Sequence, residues 1–326
     1  MKREPSISDL VDGVRAGETR AVARAISLVE NGDPAAGEIV SRLYPGTGHA
    51  HAVGFTGPPG VGKSTLISAL VALLRSRGKT VGVISVDPSS PFTQGALLGD
   101  RIRLADHFVD PGVFIRSMGT RGHAGGLAET TLQALLILDA AGKDVVFLET
   151  VGTGQNEIGV LSIADTVVLG LMPGSGDSVQ ALKAGIMEIP DVIAINKLDH
   201  PLAKTMARDV RQMLALGPGP QPPILLTEAL RGEGIEELWS AIEHHLSELE
   251  AEGRLEEKRG QNLAAEVFTV ASARARRHLE DAVVDDPDLA LLLDQVRRRE
   301  LDPLTAVQTI LAKVFHIGDE SDPDPR

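Results

Sequence analysis

The chain has 326 residues, of which 43% are hydrophobic, and it carries a formal net charge of −13 with no cysteine. This hydrophobic fraction suffices for a sizeable core, whereas the negative charge argues against a nucleic-acid partner, because neutralising phosphates requires clustered Lys and Arg. The lack of cysteine excludes disulfides and thiolate metal sites, and without a signal peptide or an apolar run of roughly 18 residues we expect a cytoplasmic protein with no membrane partner.

Short helices are predicted first, within residues 6–44. Apolar residues such as Leu10 and Val14 recur there at helical spacing, and the run 31–34, Asn-Gly-Asp-Pro, separates two of the helices. We assign residues 1–48 to an N-terminal helical segment.

An alternation of β-type apolar runs with helical segments follows, from about residue 50 to 246. The runs are 52–56, 80–86, 112–116, 144–149, 165–171, 191–195 and 223–227. Such alternation predicts an α/β fold with a mostly parallel sheet that helices cover on both faces. We assign residues 49–248 to this domain.

A glycine-rich loop separates the first apolar run from a helix with periodic leucines. It fits the pattern Gly-x-x-x-x-Gly-Lys-Ser/Thr, and the residues expected to bind nucleotide are Gly57, Pro58, Pro59, Gly60, Val61, Gly62, Lys63, Ser64 and Thr65. Glycines let several backbone N–H groups converge, the helix adds its positive end, and the lysine reaches the outer phosphates. The pattern therefore predicts a bound nucleoside triphosphate with Mg²⁺.

Carboxylates for Mg²⁺ and for hydrolysis are expected after the next strands. The buried run 144–149 ends in Glu149, the run 81–86 is followed by Asp87, and Asp100 lies in a later loop. In phosphate-loop enzymes an acid at the position of Glu149 holds Mg²⁺ or its water. For Asp87 and Asp100, helix capping or a solvated turn is the alternative interpretation.

A second short motif indicates which base is bound. Asn196-Lys197-Leu198-Asp199 follows the run 191–195, at the carboxyl end of a strand, where open α/β sheets bind ligands. The Asp199 carboxylate can accept hydrogen bonds from guanine N1–H and the 2-amino group, whereas adenine offers no such pair of donors. Guanine is therefore favoured.

Longer stretches resemble the MeaB/ArgK family of phosphate-loop GTPases. The resemblance rests on residues 86–101 (VDPSSPFTQGALLGDR), 121–127, 149–157 (ETVGTGQNE) and 173–177 together with the motif at 196–199, and it covers about residues 8–245. It implies a P-loop GTPase fold of the SIMIBI type and a GTP-hydrolysing chaperone. In that family GTP gates adenosylcobalamin loading and protects or reactivates an acyl-CoA mutase, typically methylmalonyl-CoA mutase.

The resemblance also implies roles for individual residues, carried over by motif position. Lys63 would contact the β- and γ-phosphates, and residues 152–157 would form the second switch. The implied catalytic set is Lys63, Asp100, Glu149, Gly152 and Gln155, the metal set is Ser64, Asp87, Asp100 and Glu149, and the third switch contains Asp177, Gln180 and Lys183.

Among several departures from the family pattern, two concern the expected site most. The third switch reads SVQALK at 178–183 where the family usually has ELQGIK, so the partner surface has changed. The base-binding loop contains Glu228, next to Ala229 and Leu230, where the family has a Ser-Ala pair. A glutamate there would repel or reorganise the base site unless its side chain points away. The expected base-site residues are Asn196, Lys197, Asp199, Glu228, Ala229 and Leu230.

The C-terminal part is predicted to be helical, with apolar faces that need a partner surface. By resemblance, residues 249–326 form a helical dimerisation arm, so we expect a homodimer; an intrachain helical cap is the alternative. The acidic tail 316–326 should be disordered.

Alternative functions would require motifs that differ from those in this sequence. A nickel-insertion GTPase would share the fold, but such proteins rely on Cys and His metal motifs that the sequence lacks. An ArgK-like kinase of a transport protein has no recognisable acceptor-binding motif here. A MinD-like ATPase would need a second lysine where Pro58 stands, and a regulatory module without turnover stays open.

Overall fold

The computed structural model describes residues 5–87, 104–119, 126–150, 161–174, 190–217 and 221–315, without the side chains of 87, 105, 126 and 127. Seven strands form one sheet in the order β3-β2-β4-β1-β5-β6-β7, and every neighbouring pair is parallel. The strands are β1 (His51–Thr56), β2 (Val81–Asp87), β3 (Val113–Gly119), β4 (Val145–Thr150), β5 (Thr166–Leu171), β6 (Val192–Ile195) and β7 (Ile224–Leu226). This confirms the predicted α/β fold with a parallel sheet.

The described ranges contain ten α-helices. They are α1 (Ile7–Arg15), α2 (Thr19–Glu30), α3 (Ala35–Leu43), α4 (Lys63–Ser76), α5 (Gly126–Ala140), α6 (Ala203–Leu214), α7 (Ile235–Ala251), α8 (Arg254–Asp285), α9 (Pro287–Arg297) and α10 (Pro303–Phe315). Helix α1 begins with a capping box, in which Ser6 and Asp9 bond to each other's backbone N–H groups.

The sheet is buried on both faces, as its nearly continuous apolar strands require. On one face, side chains of α1, α2, α3 and α5 share a core with β2 and β4; Val14, Ile26 and Val146 belong to it. On the other face, α4 and α7 pack against β1 and β4 through residues such as Leu70 and Trp239. The N-terminal helices therefore complete the core of the sheet.

Strand order decides where ligand-binding residues meet. Strand β1 lies in the centre of the sheet between β4 and β5, and β6 follows β5. Because all strands run in one direction, the segments after β1, β4 and β6 reach the same edge of the sheet. Three predicted features, the glycine-rich loop, Glu149 and Asn196, are thereby brought to one place.

A polar network at the opposite, amino-terminal edge holds the beginning of α8. The Arg259 guanidinium donates to both carboxylate oxygens of Asp165 at 2.8 Å. Lys258 donates to the Asp165 carbonyl oxygen at 2.7 Å. In β1, His51 Nε2 lies 2.9 Å from the Thr166 hydroxyl, which also contacts His245 Nδ1. These bonds join α7 and α8 to the first residues of β1 and β5.

The chain divides into two compact units, Met1–Glu266 and Val267–Arg326. In the second unit Leu289 and Ala306 are buried, and Lys313 pairs with Asp286 at 2.6 Å. Exposed large apolar side chains of this unit are Val267, Phe268, Val284, Leu291, Leu293, Leu304, Val307 and Phe315. The acidic tail 316–326 lies outside the described residues. Among the helices that are described, none has the length and apolar character to cross a bilayer.

Candidate nucleotide-binding site

The glycine-rich loop connects the end of β1 to the start of α4. Gly57, Gly60 and Gly62 have φ angles of 135°, 80° and 93°, which side chains other than hydrogen rarely permit. A Cβ on Gly57 would lie 2.1 Å from the Gly170 carbonyl oxygen, and one on Gly62 would lie 2.6 Å from Asn196 Nδ2. The loop therefore requires glycine for its backbone path and for close approach of β5 and the segment after β6.

Lys63 is the first residue of α4, and its side chain turns back into the loop. Its Nζ donates to the carbonyl oxygens of Gly57 at 2.6 Å and Pro58 at 3.5 Å. Only 7% of the residue is exposed. The ammonium group thus lies within the loop at the positive end of α4, an arrangement that attracts anions.

Glu149 on β4 contacts two serine hydroxyls. Ser64 donates to Glu149 Oε1 at 2.6 Å and Ser85 donates to Oε2 at 3.1 Å. All three residues are buried, with Glu149 2% exposed. Sequence reasoning assigned Ser64 and Glu149 to one site but missed Ser85. In the sequence, Ser85 is marked only by being the single hydroxyl residue within the apolar run of β2.

The oxygens of Ser64 and Glu149 fit a magnesium ion. Hydroxyl and carboxylate oxygens are the hard donors that Mg²⁺ prefers, and this ion usually takes one or two of them and completes its shell with water and substrate phosphates. The backbone of Asp87 ends β2 beside β4, at the same edge of the sheet. In the part of the chain that the structure describes, no group of three or more His, Asp or Glu side chains would suit a metal ion.

Asn196 joins the glycine-rich loop to the loop at residues 227–230, where the sequence predicts base binding. Its Nδ2 donates to the Val61 carbonyl oxygen at 2.9 Å, and its Oδ1 accepts from the Ala229 backbone N–H at 3.2 Å and the Thr227 hydroxyl at 3.3 Å. The residue is 4% exposed. Asn196 therefore fixes the distance between two loops that come from remote parts of the sequence.

Residues 197–199, which follow Asn196, turn toward solvent. Lys197 has a φ of 61°, in the left-handed region, and the Leu198 N–H donates to the Thr227 carbonyl oxygen at 3.0 Å. Lys197 Nζ contacts Met172 Sδ at 3.2 Å. Asp199 is exposed at the tip of the turn. The turn thereby presents a carboxylate beside the loop that contains Ala229.

Glu228 lies against Asp199 and does not point away from the turn at residues 196–199. Its Oε2 accepts from the Asp199 backbone N–H at 3.4 Å. Burial, followed by the nearby Asp199 carboxyl group, raises the pKa of Glu228. Glu228 is 7% exposed, whereas its neighbour Leu230 is 85% exposed. Of the residues expected to bind the base, Glu228 is therefore buried and Leu230 is exposed to solvent.

Other expected site residues lie outside the described residues. These are Asp100, Gly152, Gln155, Asp177, Gln180 and Lys183. The site as described consists of the phosphate loop, the Ser64–Glu149–Ser85 cluster and the loops that contain Asn196 and Glu228.

Comparison with known proteins identifies several similar sequences. The family model described as methylmalonyl Co-A mutase-associated GTPase MeaB matches residues 22–284. A putative GTPase of Pyrococcus horikoshii is 46% identical over 314 residues, which cover 94% of this chain and 98% of that protein. The mitochondrial methylmalonic aciduria type A homolog of Mus musculus is 30% identical over 331 residues, which cover 95% and 80%.

A solved structure is similar over nearly the whole length. The crystal structure of a LAO/AO transport system kinase has a TM-score of 0.75 and 28% sequence identity with this chain. The match covers 97% of this chain and 99% of the other.

Proposed function

The chain belongs to the MeaB family of P-loop GTPases, and we propose that it acts as the GTP-dependent chaperone of an adenosylcobalamin-dependent acyl-CoA mutase of the methylmalonyl-CoA mutase type. In this role, GTP binding and hydrolysis gate cofactor loading and protect or reactivate the mutase. The family description and the mouse relative, named for methylmalonic aciduria, both support this class of partner. The expected cytoplasmic location stays a prediction.

The main structural support for the proposal is the hydrogen bond between Asn196 and Val61. It brings the phosphate loop and the guanine motif to the same edge of the sheet, which a bound GTP molecule has to span. In the proposed complex, N–H groups of residues 57–65 surround the phosphates and Lys63 contacts the β- and γ-phosphates. Asp199 accepts from guanine, and the backbone around Ala229 lines the base.

Hydrolysis is proposed to proceed by in-line attack of water on the γ-phosphate. Lys63 neutralises charge that develops on the phosphate oxygens, and Gly152 and Gln155 are proposed to place the water. Ser64, Glu149, Asp87 and Asp100 would hold Mg²⁺, which when bound adds positive charge at the β- and γ-phosphates. Ser85 keeps the Glu149 carboxylate in position.

A homodimer formed through the C-terminal helices is part of the proposal. Within the described part of this unit, residues 267–315, eight large apolar side chains are exposed, which supports a role in association. Light scattering after size-exclusion chromatography measures this directly. A mass of about one chain at micromolar concentration would contradict the dimer.

GTP turnover is tested by phosphate release from purified protein with GTP or ATP and Mg²⁺. We expect GTP to be hydrolysed slowly and ATP far less, and we expect Lys63→Ala to lower the rate by about a hundredfold or more. Lys79→Ala is the matched control, because Lys79 is an exposed lysine that pairs with Asp144 far from the loop. Equal rates with both nucleotides would contradict the guanine site.

The partner is tested with the cobalamin-dependent acyl-CoA mutase of the same cell. We expect the mutase to bind the chain, to accelerate GTP hydrolysis, and to receive adenosylcobalamin only when GTP is hydrolysed. The changes Asp177→Ala and Lys183→Ala in the proposed third switch should abolish the acceleration but leave the basal rate. A mutase that neither binds nor changes the rate would overturn the chaperone role. Transfer of the γ-phosphate to protein rather than water would favour the kinase alternative.

A further inference from the structure

We propose that a pocket between α5 and α8, at the amino-terminal edge of the sheet, binds an uncharged apolar molecule that carries one hydrogen-bonding group. The pocket has a volume of about 370 Å³. Since a cavity of about 150 Å³ holds one benzene molecule, this volume suits a ligand of about two or three rings. The proposed nucleotide site lies at the other edge of the sheet, so this inference does not depend on GTP.

The pocket forms where segments that are remote in the sequence meet. Ala50 and Ala52 line it from the start of β1, and Thr47 lines it from the turn after α3. The other lining residues lie on α5, on α8 and just before β5. All of them belong to the compact unit Met1–Glu266.

Aliphatic side chains of two helices line the pocket. They are Leu132, Leu135 and Leu136 on α5 and Leu263 on α8, and Ile163 joins them. Leu135 and Ile163 are buried, while the other three are partly buried. Walls of this kind with a few polar groups are typical of small-molecule sites, because removal of apolar surface from water drives binding.

The charged groups deep in the pocket already have partners within the protein. The Asp139 carboxylate accepts from the backbone N–H groups of residues 48–50 at 2.6–3.2 Å. Both oxygens of Asp165 accept from Arg259 at 2.8 Å, and Arg259 also donates to the carbonyl oxygens of residues 48 and 50. Because these groups are satisfied, the ligand needs no charge of its own.

The remaining charge balance disfavours an anion. Among the described residues that line the pocket, Arg259 is the only cation, and it pairs with Asp165. Asp139 and the exposed Glu256 are therefore left as uncompensated negative charges, which repel an anionic ligand. An ammonium group would have to leave water among leucines, since Asp139 is already bonded to the backbone. An uncharged ligand avoids both costs.

Asn262 supplies a polar contact for the ligand. It lines the pocket from α8, is partly buried, and its side-chain amide makes no hydrogen bond with the rest of the described chain. An amide offers both donors and an acceptor, so a ligand N–H or hydroxyl group can bond to it. Asn262→Ala should therefore lower the affinity by a few-fold while the apolar walls stay intact.

The test uses two fluorescent probes that share one ring skeleton. N-phenyl-1-naphthylamine is uncharged and has one N–H, whereas 8-anilinonaphthalene-1-sulfonate adds a sulfonate. We expect the nucleotide-free chain to bind the uncharged probe with a dissociation constant in the micromolar range, and this probe should raise the temperature of thermal unfolding. The pocket should bind the sulfonate at least about tenfold more weakly.

Two variants assign the signal to the pocket. Leu136→Glu on α5 and Leu263→Glu on α8 bring a carboxylate to partly exposed positions, and each should weaken binding of the uncharged probe by about tenfold or more. Leu202→Glu is the matched control, because this 51% exposed leucine follows β6 at the other edge of the sheet, and it should keep the wild-type affinity. Urea unfolding, followed by the fluorescence of Trp239, checks that each variant is folded.

Three results would overturn the inference, and none of them bears on the nucleotide site. If the wild-type chain binds no uncharged probe, the pocket is not a ligand site. If both folded pocket variants keep the wild-type affinity, the probe binds elsewhere, such as on the exposed apolar side chains of residues 267–315. If the pocket variants lower the affinity for both probes equally from the same wild-type value, the uncharged class of ligand is wrong.

Discussion

The Asn196 side-chain amide donates a 2.9 Å hydrogen bond to the Val61 carbonyl oxygen, although 135 residues separate the two in the chain. The same side chain accepts from the Ala229 backbone N–H. One buried residue therefore connects the proposed phosphate site to the proposed base site. Changes at Asn196 should affect recognition of both parts of the nucleotide.

Replacing Asn196 by Ala should weaken GDP binding by about 10- to 100-fold, because the two loops lose the hydrogen bonds to Val61 and Ala229 that hold them in place, at about 0.5–1.5 kcal/mol each. Binding of tripolyphosphate, which lacks a base, should weaken as well, because the phosphate loop loses the hydrogen bond between Asn196 and Val61. Calorimetry with both ligands measures this. Unchanged tripolyphosphate affinity would mean that Asn196 serves the base alone. Gln261→Ala, on the exposed face of α8, is the control.

Replacing Glu149 by Gln should raise the Mg²⁺ concentration needed for half-maximal GTP hydrolysis by about tenfold or more, since the site loses its negative charge. Ser85→Ala removes one 3.1 Å hydrogen bond to the Glu149 carboxylate and should give a smaller shift, of a few-fold. Ser76→Ala is the matched control, because this hydroxyl contacts only the end of α4 in the described contacts. Identical Mg²⁺ titrations for Glu149→Gln and the wild-type chain would contradict the metal assignment.

Replacing Gly57 by Ala should lower the free energy of unfolding by roughly 3 kcal/mol or more. The φ of 135° disfavours any side chain, and the added Cβ would lie 2.1 Å from the Gly170 carbonyl oxygen. Gly78→Ala is the control: its φ of 77° is also positive, but a Cβ there meets nothing within 4 Å. That variant should lose about 1 kcal/mol. Urea unfolding compares the two, and similar losses would show that the close approach of β5 does not matter.

His51 should make the stability depend on pH. Burial lowers the pKa of His51 from 6.5 to about 4. The unfolded chain therefore binds more protons than the folded chain between these values, and stability decreases as the pH falls. The loss from this residue between pH 7 and pH 4.5 is about 2 kcal/mol.

Trp239 is the single tryptophan of the chain, so its fluorescence can follow urea unfolding at both pH values. Its ring centroid lies 6.1 Å from that of His51. His51→Gln can still hydrogen-bond to Thr166 but does not titrate. Its stability should fall by about 2 kcal/mol less than that of the wild-type chain over the same pH interval. Equal decreases in the two proteins would show that other groups control the pH dependence.

The sequence by itself determined the fold class, the seven strands and the position of the phosphate loop. Each of these depends on local features: an apolar run long enough for a buried strand, a helix that follows it, and glycines at fixed spacing. The positions of Asn196 and Asp199 can also be predicted from the sequence, because their motif directly follows β6. Local patterns suffice where neighbouring residues specify the backbone.

Only the tertiary structure decided which side chains touch. Ser85 reaches Glu149 because β2 and β4 are neighbours in the sheet, and the sequence does not state that order. The sequence indicated that Glu228 would disturb the base site unless it pointed away. In the folded chain it lies against Asp199, since the pairing of Thr227 with Ile195 brings the two turns together. Contacts between remote segments depend on strand order and register, and these follow from packing of the whole sheet.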